Sequence, residues 1–135
     1  MTIAACAKLP SGVGRESFVP APLAAYSRRC AVTGSAVAEL LEAAHIIPHA
    51  EGRNYRVTNG LLLRADVHTL FDLYLLSIDE RCMVHVSRTL FGTDYWAFHN
   101  KSLKKLPDSF RDQPHSVSLE SRHGRFLERE RGRLV

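Results

Sequence analysis

Two short apolar runs around a polar loop, followed at once by a change of hydrophobic period, constrain this chain more than any other feature. The run LLEAAHII is closed by Pro48, and its paired isoleucines favour a buried strand for its second half, although AVAELLEAA alone has strong helix propensity. The segment HAEGRNYRVTN then lacks apolar periodicity and has the composition of an exposed loop. GLLLRA reads as a second short strand. In DVHTLFDLYLL, Val67, Leu70, Phe71 and Tyr74 fall on one helical stripe, with Asp66 placed to cap the start. The expected order is strand with His45, loop, Asn59, strand, and helix with His68.

The rest of the chain supports one domain around that unit. A length of 135 residues suits a single domain, and 45% hydrophobic with 24% charged residues supplies a core without a signature of disorder. No apolar run approaches a membrane span, and MTIAACAKLP lacks the basic start and long apolar middle of a signal peptide, so a cytoplasmic protein is expected. Cys6, Cys30 and Cys82 are odd in number, far apart and without a CxxC pair, which reads as free thiols and not as a disulfide framework or a cysteine-clamped zinc. Residues 1–14 are expected to be a loose arm and 15–135 the single domain, with its core at 23–79 and a basic extension at 96–135.

Several flanking elements follow from local patterns. PLAAYSRR should form a short helix with Pro22 in its first turn and Arg28 and Arg29 near its end. CAVTG reads as a small extended piece ending in a glycine turn. LLSID and RCMVHVS read as a hairpin turning at Asp79 and Glu80. Leu119, His123, Phe126 and Leu127 keep a helical stripe, marking an amphipathic terminal helix with an arginine-rich outside. Of the net charge of +4, all of the excess lies beyond residue 95, which fits a polyanionic partner, although a solvated helix face is the commoner cause of so modest a balance.

The candidate chemistry lies between His45 and Asp72. His68 and Asp72 are four residues apart, so on a helix they project from one face and offer one nitrogen and one oxygen to a metal. The alternatives are that His68 caps or packs, and that Asp72 bonds Arg64 or holds the His68 tautomer. Asn59 can orient the strands through its amide, or Asn59-Gly60 can be an ordinary turn dipeptide. His49 follows His45 by four residues, but Pro48 between them argues against a helical two-histidine clamp. Arg53 and Arg56 beside the site, Arg64, and Lys101, Lys104 and Lys105 in the tail are candidate nucleic-acid contacts. Tyr95, Trp96 and Phe98 are more plausibly core and surface than a base-stacking platform. His85, His99, His115 and His123 lack ligand spacing and are read as surface or helix-face residues.

In the motifs CAVTG, AAHIIP, NGLLLRADVHTLFD and LLSID the sequence resembles the HNH endonucleases, most strongly over Leu23 to Asp79. That resemblance implies an α+β protein with a ββα-metal core, a two-stranded antiparallel hairpin and a helix, here with flanking helices and a peripheral hairpin. It also implies a metal-dependent endonuclease of the restriction type acting on DNA. His45 takes the position of the general base, and one divalent cation is held by the His68 helix, Mg2+ first with Mn2+, Ni2+ or Zn2+ as alternatives. Two departures stand out. Where many HNH sites place an Asp or His ligand just before the base, this chain has Ala44, so the site relies on His68, Asp72 and waters, or else His45 is itself a ligand. The CxxC pairs that support related folds are absent after Cys30. A DNA-binding module that keeps the fold without catalysis is the alternative reading. A specificity subunit, a homo-oligomer or a larger restriction or toxin system would supply recognition that a chain of this size cannot.

Overall fold

A computed structural model of the protein describes residues 7–8, 21–48 and 56–133. Its elements are β1 (Ala7–Lys8), α1 (Ala21–Ala25), β2 (Leu41–His45), β3 (Gly60–Arg64), α2 (Ala65–Asp72), β4 (Leu76–Ile78), β5 (Val84–Val86) and α3 (Ser116–Arg133), with short 3-10 turns between them. β2 and β3 pair antiparallel with Leu41 opposite Arg64 and His45 opposite Gly60, and α2 follows β3 without a loop. This is the α+β arrangement of a ββα unit. Ala7 and Lys8 add a two-residue edge to β2, where the sequence suggests only a loose arm; the rest of that arm lies outside the described residues.

Burial explains why the helix propensity of AVAELLEAA loses to a strand. Only Ala38–Leu40 winds into a 3-10 turn, after which Leu41, Ala44 and Ile46 enter the core with Leu61, Leu62 and Leu63 from β3. Side chains that alternate across a strand can fill both faces of a sheet covered on both sides, and tertiary burial outweighs a propensity difference of a few tenths of a kcal/mol per residue. Gly60 is extended at φ −122° and ψ 149°, so Asn59-Gly60 is not a turn dipeptide. The glycine is needed for space, since a Cβ there would come within 2.8 Å of the Pro22 ring at the start of α1. Nearby, the buried Tyr26 hydroxyl donates to the Gly60 carbonyl at 3.2 Å.

Three local expectations are corrected. α1 is shorter than PLAAYSRR, because Ser27 and Arg28 take left-handed φ of 53° and 58° and turn the chain away. Cys30–Gly34 is a turn and not an extended piece: the Gly34 N-H donates to the Cys30 carbonyl, and the buried Cys30 Sγ accepts from the N-H groups of Thr33 and Arg64. Asp66 is not the N-cap of α2, which is Arg64, but its Oδ1 accepts from the first-turn Val67 N-H at 2.9 Å. It sits inside the first turn, where Arg64 donates to its carboxylate twice, at 2.7 and 2.9 Å, and Tyr95 donates at 2.7 Å.

β4 and β5 form a separate two-stranded sheet, and every residue of β4 is buried. α3 closes the molecule over this sheet with Leu119, Arg122, His123 and Phe126 facing inward. The inward face is thus rotated from the expected one: Leu127 is exposed, and Arg122, expected on the arginine-rich outside, is buried. Among the described residues no helix is long and apolar enough to cross a membrane.

Candidate active site

The end of β2, the residue before β3 and the face of α2 carry His45, Asn59, and His68 with Asp72. β2 ends at His45, and the chain leaves it through Ile46 and Ile47. The Asn59 side chain, itself buried, fastens that exit. Its Oδ1 accepts from the Ile47 N-H at 3.0 Å, its Nδ2 donates to the Ile47 carbonyl at 3.3 Å, and its own carbonyl accepts from the Ile46 N-H at 2.8 Å. Two residues beyond His45 are therefore bonded to one asparagine, which limits how the strand end can swing. The Nδ1 atom of His45 is buried.

On α2, His68 is buried against β2 with its two ring nitrogens in different surroundings. Nδ1 lies 2.7 Å from Glu42 Oε1, and Nε2 lies 3.2 Å from Asp72 Oδ2. A carboxylate only accepts, so Nδ1 carries a proton toward Glu42. Nε2 is buried and makes no hydrogen bond. Beside the Asp72 carboxylate that position suits positive charge, either a second proton on the ring or a bound cation. One imidazole nitrogen and one carboxylate oxygen from a single helix turn, with a second carboxylate fixing the tautomer, suit a divalent cation. The donor set is nonetheless small. Among the described residues no group of three or more His, Cys, Asp or Glu side chains is arranged to hold a metal ion.

Ala44 accounts for that shortage. Glu42 and Ala44 are two residues apart on β2 and so project to the same face, the one that meets α2 through the Glu42–His68 contact. A longer side chain at 44 would point at the helix, but Ala44 is instead part of the apolar core.

The sequence did not single out Glu42. Its signal was available: an acidic residue in an otherwise apolar strand, where an unpaired buried charge is costly and a partner is expected. The structure also separates the other candidates. Arg64 is paired with Asp66 and not with Asp72, an ion pair that holds the Asp66 pKa down to about 2. Lys105 is 3.4 Å from Asp108. Arg56, Lys101 and Lys104 are exposed. Arg53 and His49 lie outside the described residues. Tyr95, Trp96 and Phe98 pack partly buried against the core.

With the geometry in view, comparison with known proteins decides the family of this unit. A sequence model of the HNH endonucleases matches residues 30–79. This segment belongs to the HNH endonuclease family. Among solved structures, a modification-dependent TagI restriction endonuclease shares the fold with a TM-score of 0.58 at 20% identity, over 77% of this chain. The chain spans 35% of that protein's length. No curated protein matches the sequence. The HNH segment ends at Asp79, so α3 and the aromatic turn before it lie outside the family match.

The remaining histidines are not scattered surface residues. Ser77 Oγ bonds His123 Nδ1 at 2.8 Å, His85 Nε2 lies 2.8 Å from Asp79 Oδ2, and the His85 and His123 rings approach to 4.3 Å between centroids. His99 accepts from the Val86 N-H through Nδ1 and stacks on Trp96. Spacing hid this cluster because its members come from β5, α3 and the turn between them. Of the four, only His115 is exposed as expected.

Proposed function

We propose that the protein is a metal-dependent endonuclease that hydrolyses phosphodiester bonds of DNA, with His45 as general base and His68 and Asp72 holding one divalent cation. The observation that carries this reading is the His68 ring. Its Nδ1 is held by Glu42, and its Nε2 is buried without a hydrogen bond beside Asp72 Oδ2. With the ring neutral and its proton on Nδ1, such an arrangement leaves the Nε2 lone pair for a cation. A bound cation supplies positive charge beside the phosphate as negative charge builds on its oxygens in the transition state. His45 accepts the proton of the attacking water, a role suited to an imidazole near neutral pH. Asn59 acts as an orienter by holding Ile46 and Ile47, and with them the end of the strand that presents His45. Arg56, Lys101 and Lys104 are the proposed phosphate contacts, positioning the strand without reading its sequence. Arg64 and Lys105, which face Asp66 and Asp108, are further candidates.

A second reading has one specific observation in its favour. Ala44 and the two-donor set fit a DNA-binding module that kept the fold and lost strong metal binding. Incubation with supercoiled plasmid separates the two. The nuclease reading expects nicking with Mg2+ or Mn2+, none in excess chelator, and a loss of roughly 10²- to 10⁴-fold in rate for a folded His45→Ala variant. Retention of plasmid in a gel without any metal-dependent cleavage supports the binding module instead. Because the chain covers 35% of the length of its structural neighbour, we propose that sequence or modification specificity comes from a second chain, a homo-oligomer or a further domain.

A further inference from the structure

The two halves of the proposed site are joined by a residue from outside the HNH segment. Arg122 on α3 is buried, at 4% exposure, although it carries a permanent charge. One of its terminal nitrogens donates to the Ile46 carbonyl at 3.1 Å, and the other donates to the Phe71 carbonyl at 2.8 Å. Ile46 follows His45, and Phe71 precedes Asp72. The guanidinium also lies over the Phe71 ring at 4.0 Å and the Tyr74 ring at 4.5 Å. Its plane is therefore fixed by two rings as well as by two acceptors.

We infer that Arg122 is a positioning residue for the nuclease centre, setting the separation between the His45 end of β2 and the Asp72 end of α2; this rests on the roles proposed above for those two residues. β2 and α2 are also joined by the Glu42–His68 contact, while the backbone ladder of β2 is spent on β1 and β3. A planar fork with two donors is suited to the task, because both carbonyls must keep their places for both bonds to form. The same bonds satisfy acceptors that would otherwise be buried, and the charge sits favourably at the C-terminal end of α2. Nothing about capping alone requires an arginine that also reaches Ile46. Arg133 shows the difference: it donates to the Leu73 and Tyr74 carbonyls just past α2 and touches no part of β2.

Arg122→Lys keeps the charge but offers one nitrogen for two carbonyls, and Arg133→Met removes a helix-end contact without reaching the site. Each variant is compared with the wild type for folding by circular dichroism, for Mn2+ affinity by electron paramagnetic resonance, and for kcat and KM in plasmid nicking. Folded Arg122→Lys is expected to lose about 10- to 100-fold in kcat, the scale of a misplaced reacting group, with KM for DNA little changed and Mn2+ binding weakened. Arg133→Met is expected to lower the melting temperature and leave kcat and Mn2+ affinity at wild-type levels. Equal effects of the two variants on kcat and Mn2+ affinity, or a wild-type kcat and Mn2+ affinity in Arg122→Lys, would overturn the inference. If the wild type binds Mn2+ but does not nick DNA, the proposed function falls, while the Mn2+ affinity of Arg122→Lys still decides the positioning role. If it does neither, both fall.

Discussion

The molecule carries two histidine centres built on similar parts, one around His68 and one around His85 and His123. Each sets an imidazole nitrogen 2.7 or 2.8 Å from a carboxylate, Glu42 for His68 and Asp79 for His85. They differ in what the other groups do. At His68 the second nitrogen is buried, bonded to nothing and aimed at Asp72. In the other centre His123 bonds Ser77 and stacks on Phe126, while its ring meets that of His85. A histidine cluster of that kind ties the β4–β5 sheet to α3. Carboxylate backing alone therefore does not mark a metal site, and the buried second nitrogen without a hydrogen bond is the more telling observation.

The comparison can be broken at its strongest point by Glu42→Gln. Gln keeps the size and an acceptor but removes the charge that fixes and enriches the His68 ring, so Mn2+ affinity should fall by about 10- to 100-fold, the usual scale for a carboxylate behind a ligand histidine. Unchanged affinity in a titration followed by electron paramagnetic resonance would reduce Glu42 to packing. Ala44→Asp sharpens the same centre from the opposite direction. It adds an oxygen toward α2, so the metal-free protein should lose roughly 1–3 kcal/mol of stability to an unsatisfied buried group, and Mn2+ should restore it while binding more tightly than to wild type. Urea unfolding with and without Mn2+ reads both signs.

The smallest expected effect belongs to the second centre and depends on pH. Burial, and then the neighbouring His85, lower the His123 pKa; burial likewise lowers that of His99. The unfolded chain therefore binds more protons than the folded one as pH falls below the ordinary histidine value of about 6.5. Stability from these groups is present above that pH and is lost progressively on acidification towards their lowered folded pKa values. Unfolding measured at pH 7.5 and pH 5.5 should show that loss in the wild type and a smaller one in His123→Phe, which removes one of the titrating rings. An equal pH dependence in the two proteins would show that the cluster is not its source.

Much of the HNH segment was legible because its cues are local. Paired isoleucines before Pro48, the glycine at 60 and the four-residue step from His68 to Asp72 each state a backbone preference within a few residues. Gly60 was legible in place but not in cause: the dipeptide suggested a turn, whereas the constraint is a proline ring from α1, 38 positions earlier. What could not be read is what chains distant in sequence do when they meet. Glu42 finds its partner 26 residues away, and Ser77 meets His123 across 46. Arg122 was placed on the wrong face because a helical stripe drawn through large apolar residues has no means of recognising an arginine whose acceptors are backbone carbonyls of other elements.

The reach of Arg122 also has a direction in time. Its two acceptors lie 76 and 51 residues before it, so they are made first. At about 5–20 residues per second, a ribosome that has finished the HNH segment at Asp79 needs roughly 3–11 seconds more to reach the end of α3. During that interval the nascent chain carries the whole HNH segment with the Ile46 and Phe71 carbonyls still lacking this clamp. The order of synthesis thus leaves the proposed centre without this clamp until α3 has docked.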